Sequence, residues 1–146
     1  MQYTVPSGLP GGLAEHSLNV YGLMDKLSGI LYPEVDKSSV ILCALLHDLG
    51  KAGQFGKPNY IINMLKGRGK NAEPYQSPTK PYIGNPDLLY IDHEVRSIQI
   101  ASRHIDLTED ENWAILMHNG MYGNLSTRYR ERKHLCTCCC IWLICG

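Results

Sequence analysis

The segment Leu45-Leu46-His47-Asp48-Leu49-Gly50-Lys51 sets the hardest condition on the fold, because it places an imidazole and a carboxylate at the end of an otherwise apolar run. An ionised carboxylate buried without a countercharge takes up a proton instead. A divalent cation supplies that charge and accepts a mixed nitrogen and oxygen donor set. Successive helical residues project about 100° apart, so His47 and Asp48 can bracket a metal lying in the seam between helices rather than share one outward face. Lys51 follows Asp48 by three residues on nearly the same face, close enough to hold a phosphate oxygen beside such a metal. The pattern asks for packed helices and points to a phosphate ester as substrate.

The rest of the chain can supply the helices. Its 146 residues, 44% of them apolar and 19% charged, suffice for one domain, 1–146, with a real core. After a lead-in rich in Gly and Pro, Leu13, Val20 and Leu27 recur every seven residues with Leu23 between the last two, which predicts a helix near 12–28 ended by Ser28-Gly29. Pro33 blocks continuation. Asp36 or Ser38 can cap a second helix through Val40 to Leu46, with Gly50 as its C-cap. That helix is apolar nearly all round and is expected at the centre.

From Gly53 to Asp87 the composition shifts to Gly, Pro, Asn and Lys, so a long irregular or hairpin insert is expected between the second and third main helices. Val95, Ile98, Ile100, Ala101 and Ile105 mark a third helix from about residue 92. Thr108-Glu109-Asp110-Glu111 spells a capping box, opening a fourth helix that runs to about His118. The expected fold class is mainly α.

Four histidines stand near these helix ends: His16, His47, His93 and His118. One such histidine needs only a dipole or a hydrogen bond to account for it. Four of them together with Asp48 make a candidate ligand set. Gly11-Gly12-Leu13-Ala14-Glu15-His16-Ser17-Leu18 and Leu46-His47-Asp48-Leu49-Gly50-Lys51 resemble the HD superfamily of metal-dependent phosphohydrolases, over roughly residues 8–125. His93-Glu94 with Arg96-Ser97, Leu107 to Glu111 and Met117-His118-Asn119-Gly120 resemble a bacterial and phage branch that includes the HD domain of certain 3′-5′ exoribonucleases.

This resemblance implies an α-helical bundle with metal between its helices, and hydrolysis of a phosphomonoester or phosphodiester, often of a nucleotide. It implies His16, His47 and Asp48 as metal ligands, with His93 and His118 completing a second metal site or facing the phosphate. Lys51 would contact substrate, and Asp48 could orient the attacking water, so these two are the expected catalytic residues. Arg96 is a candidate phosphate contact. Glu94 can pair with or orient His93, and as an exposed helix charge it would do little. Imidazole suits Mn, Fe, Co, Ni or Zn better than Mg.

Charge and ends narrow the partners. Fourteen basic residues balance fourteen acidic ones, giving a net charge of +0, which argues against long nucleic acid and for a small phosphate-containing substrate, a nucleotide above all. The N-terminus lacks signal-peptide character, and no apolar stretch reaches the roughly 18 residues of a membrane span. A cytoplasmic protein without a membrane partner is expected.

The family pattern ends on a further Asp in a last helix, yet no Asp follows Asp110. Residues 126–146 instead form an aberrant tail with Cys136, Cys138, Cys139, Cys140 and Cys145. A zinc knot of His134 with these cysteines has poor ligand spacing. A shifted reading frame accounts for both oddities: synonymous codons exist for Lys133 to Cys145 whose alternative frame reads ETPLYMLLHLADM, an apolar stripe with an Ala-Asp pair. On that reading metal binding is weakened and turnover low. The alternative function is a non-catalytic metal- or nucleotide-binding sensor or interaction module.

Overall fold

The computed structural model describes residues 11–69 and 72–119. Four helices carry the fold: α1 (Gly12–Leu31), α2 (Lys37–Leu46), α3 (His93–Ala101) and α4 (Glu109–Leu116). A 3-10 turn over Leu49–Ala52 continues from the end of α2. Among the described residues six short strands also occur, β1 (Gly53–Gln54), β2 (Lys57–Pro58), β3 (Tyr60–Ile62), β4 (Met64–Leu65), β5 (Tyr75–Gln76) and β6 (Tyr82–Gly84). The mainly helical expectation therefore holds with a strand component added.

α1 starts after Gly11, whose φ of 94° suits glycine, and runs beyond Ser28-Gly29 to Leu31. Pro33 is the effective stop, because its ring drives the preceding Tyr32 out of helical geometry, to φ −143° and ψ 63°. The buried line of α1 is Ser17, Val20, Met24 and Ser28, at helical spacing. Leu23, expected within the apolar stripe, is 50% exposed. Val20 of the expected stripe is buried and Leu13 and Leu27 are half-buried, while Ser17 and Ser28 extend the inner line, so apolarity alone locates the buried face only in part.

Asp36 caps α2 by accepting from the Ser39 backbone N–H at 3.3 Å, and it also accepts from the Ser38 hydroxyl. Gly50 is not the C-cap: α2 closes at His47, and Gly50 lies inside the 3-10 turn. A Cβ at Gly50 would stand 2.2 Å from the His93 carbonyl oxygen, so glycine is required there for close approach to α3. α2 is less central than its composition predicts, since Ile41 and Leu45 are part-exposed while Val40, Cys43 and Ala44 are buried.

The core joins Val20 and Met24 of α1, Val40, Cys43 and Ala44 of α2, and Ala114 and Ile115 of α4, with Met117 just beyond. α4 opens on the expected capping box. Thr108 Oγ1 accepts from the Glu111 N–H at 3.2 Å, and Glu111 Oε2 accepts from the Thr108 N–H at 2.8 Å. The other oxygen of Glu111 accepts from Ser39 Oγ at 2.7 Å, tying the start of α4 to the first turn of α2. Burial would push the Glu111 carboxyl up, but its bonds from Thr108 and Ser39 hold it below the usual value.

The strands form three separate antiparallel pairs, β1 with β2, β3 with β6 and β4 with β5. β1 and β2 are joined by Phe55-Gly56, with φ of 56° and 71°, the positive pair that a tight hairpin turn requires. No helix among the described residues is long and apolar enough to cross a membrane. Residues 126–146, expected to form an aberrant tail with His134 and five cysteines, lie outside the described residues.

Candidate metal centre

Four helices each bring one imidazole to Asp48. α1 contributes His16, the end of α2 contributes His47, α3 begins with His93, and His118 lies two residues beyond α4. Asp48 Oδ2 lies 3.4 Å from His16 Nε2 and 3.5 Å from His47 Nε2. Its other oxygen, Oδ1, lies 3.2 Å from His93 Nε2 and 3.4 Å from His118 Nε2. Within each pair the rings also face one another, His16 to His47 at 3.3 Å and His93 to His118 at 3.2 Å between Nε2 atoms. The result is two triads sharing one carboxylate, with the donor atoms of each within 4.8 Å of one another.

The far sides of the rings explain why the Nε2 atoms converge. His47 Nδ1 lies 2.8 Å from the Ala44 carbonyl, and His118 Nδ1 lies 2.7 Å from the Ile115 carbonyl. A carbonyl can only accept, so Nδ1 carries the proton and, in the neutral ring, Nε2 presents a lone pair. Burial pushes His47 down to about 4, against the pull of Asp48, so its ring is neutral in ordinary conditions. Burial pushes the Asp48 carboxyl up, but its contacts with His118, His16 and His93 outweigh that and hold the group below the carboxylate range.

Lone pairs and a carboxylate thus meet in a buried space. Asp48 Oδ1 is itself a buried oxygen with no hydrogen bond among the described residues. Such a donor set needs positive charge between its members, and a divalent transition metal fits both the chemistry and the nitrogen-rich composition. His47, Asp48 and His118 form the enclosed floor, whereas the side chains of His16 and His93 are 35% and 18% exposed. Lys51, 23% exposed in its side chain, donates from Nζ to Asp48 Oδ2 at 2.7 Å and stands on the same open rim.

All five expected ligands and Lys51 therefore meet. Arg96 does not join them: it is 1% exposed, and its guanidinium donates to the Leu89 carbonyl at 2.6 Å and to Gln54 Oε1 at 3.4 Å. One turn beyond His93 on α3, it packs under the 3-10 turn, where its Cβ would lie 2.9 Å from a Cβ on Gly50. Nor is Glu94 an exposed helix charge. It is buried, with Oε2 3.4 Å from His93 Nδ1, and it accepts from the Asn119 side-chain amide. Asn119 stood in the sequence resemblance without a role, and the Ala44 and Ile115 carbonyls escaped sequence reasoning altogether, because backbone acceptors leave no mark in a sequence.

A family model described as HD domain matches residues 13–141. No curated protein and no solved structure matches the chain.

Proposed function

This chain belongs to the HD domain family, and from that premise we propose that it hydrolyses a small phosphate ester, foremost a nucleotide, with divalent cations held by His16, His47, Asp48, His93 and His118. The observation that carries the reading is the sharing of one buried carboxylate between two histidine pairs, a donor set in which each pair together with Asp48 would hold a cation. Bound there, such a cation supplies a water of lowered pKa and positive charge for the phosphoryl oxygens.

The chain's own residues divide the remaining work. His47 and His118, locked through Nδ1, hold the floor rigid. Asp48, ionised and fixed among four rings, can accept a hydrogen bond from a water entering between the triads and so orient it. Lys51 projects from the 3-10 turn at the rim, where its ammonium can hold a phosphate oxygen as a point charge. His16, His93 and Lys51 mark the side from which substrate approaches. Arg96 serves this reading as a packed anchor of α3 rather than as a phosphate contact. The balanced net charge of +0 favours a small substrate over a long polyanion.

The test is turnover of a generic phosphomonoester and phosphodiester by the purified chain with added Mn²⁺ or Ni²⁺. Metal-dependent hydrolysis that falls by about a hundredfold or more in Lys51→Met supports the reading. Hydrolysis that survives chelation and Asp48→Asn contradicts it.

The lack of any Asp after Asp110 favours a second reading, a sensor that binds metal and nucleotide without turnover. Stoichiometric metal and nucleotide binding with no hydrolysis would select it. Sequencing the source DNA shows whether an Asp codon stands in the alternative frame.

A further inference from the structure

α3 is held in place differently from its neighbours. The buried core draws its members from α1, α2, α4 and Met117, whereas the buried residues of α3 are Glu94, Arg96, Ser97 and Ala101. Three of these four are polar, and α3 adds Ile98, partly buried against the core, so hydrogen bonds join apolar packing in setting the register of α3 against the end of α2. Ser97, fully buried, makes those bonds. Its Oγ accepts from the Gly50 N–H at 2.8 Å and lies 2.9 Å from the His47 carbonyl and 2.8 Å from the His93 carbonyl, the acceptors of its own proton.

One hydroxyl thus touches the backbone of a ligand from each triad. The missing side chain at Gly50 allows this, since a Cβ there would stand 2.9 Å from the Ser97 nitrogen. The rings of His47 and His118 are oriented by carbonyls three residues earlier in their own helical segments, bonds that do not depend on α3. What α3 alone decides is how far His93 stands from His47 across Asp48.

We infer that Ser97 is a positioning residue that sets the separation of the two ligand triads, and with it whether two cations are held together. This rests on the two-position reading of the centre given above. It assigns Ser97 no contact with substrate or metal.

The experiment is titration of the full chain with Mn²⁺ alone, followed by electron paramagnetic resonance, which reads both affinity and the magnetic coupling of neighbouring ions. Wild type should bind two Mn²⁺ with a coupled signal. Ser97→Ala should leave the first ion within about threefold of its wild-type affinity, weaken the second by about tenfold or more, and abolish coupling, in the range typical of groups that orient ligands. Ser97→Thr, which keeps the hydroxyl, should retain coupling. Should the alanine variant fail to fold, Ser97→Cys, whose sulfur bonds weakly, should show a partial loss of coupling with a circular dichroism spectrum like that of wild type.

Equal weakening of both ions with coupling intact would mark Ser97 as a general stability residue and overturn the inference. So would loss of coupling in Ser97→Thr as complete as in Ser97→Ala, or wild-type behaviour in Ser97→Ala and Ser97→Cys. A wild-type chain that never holds two Mn²⁺ would overturn both this inference and the two-position reading, whereas a coupled wild type with unaltered variants would overturn this inference alone.

Discussion

The triad on the α1 and α2 side and the triad on the α3 and α4 side share Asp48 but are built by different means. His47 and His118 are counterparts, each buried and each with Nδ1 against a carbonyl three residues earlier. His16 and His93 are not. His16 projects from a helix anchored by Val20 and Met24, and among the described residues its Nδ1 has no partner. His93 opens a helix whose buried side is mostly polar, and its Nδ1 faces Glu94, which Asn119 holds in turn. His16 is placed by the apolar packing of its helix, and His93 largely by hydrogen bonds. The second depends on geometry that a single atom can change.

The largest effect should come from the residue that both halves use. Asp48→Asn removes the charge on which four imidazoles converge, and its cost should exceed the roughly 10 to 100-fold loss in metal affinity usual for groups one step removed from the metal. Elemental analysis should find the variant close to metal-free. Retention of half the wild-type metal would mean that the triads do not depend on a common carboxylate.

Glu94→Gln comes next and sharpens the contrast, because it touches one half only. It should weaken the cation position of His93 and His118 by about 10 to 100-fold while leaving that of His16 and His47 near its wild-type affinity. Calorimetric titration with Mn²⁺ resolves the two steps, and equal loss in both would erase the distinction.

Acid should separate the metal-free forms. His47 stays neutral in the folded chain down to about 4, against an ordinary value of 6.5, because burial disfavours its charged form. The unfolded chain therefore takes up the proton first as pH falls. The contribution of His47 is complete above about 6.5 and is lost between about 6.5 and about 4. Denaturant midpoints of chelated protein should fall across that window, and less steeply in His47→Gln; identical slopes would remove burial of His47 as the cause.

The smallest effect is expected from Thr108→Ala, which breaks the capping box of α4 at a distance from either ring pair. It should cost about 1 kcal/mol, lowering the melting temperature by about 2–4 °C. Its metal affinity should stay at the wild-type level, and a selective loss at the His118 position would show that the cap, rather than the Ile115 carbonyl, governs that ring.

These contrasts also show which parts of the molecule a sequence can reveal. His47-Asp48 after an apolar run, the three further histidines and the Thr108 to Glu111 capping box were legible because side-chain identity and spacing carry them. Gly50 was legible as a special position but not in its role, since a helix stop and a close approach of two chains both call for glycine. Ser97 was legible as part of the resemblance with Arg96 but not in its role, which lies in a carbonyl and an N–H at the end of α2 and the 3-10 turn and a carbonyl of its own helix. Arg96 and Glu94 could not be sorted into buried and exposed, because the polar inner side of α3 breaks the rule by which charged residues are placed outside. A hairpin was expected between the second and third helices, but its individual strands could not be placed, because strands of two or three residues are too short to show alternation.

X-ray absorption at the zinc edge of the purified full chain loaded with Zn²⁺ reads which atoms hold the cation. Six cysteines compete with the histidines for such ions, and sulfur is distinguished from nitrogen and oxygen by its distance and scattering. A first shell of nitrogen and oxygen at about 2.0–2.2 Å, with the outer scattering of imidazole, is the predicted result. A shell dominated by sulfur at about 2.3 Å, unchanged by Asp48→Asn, would place the metal elsewhere and contradict the account.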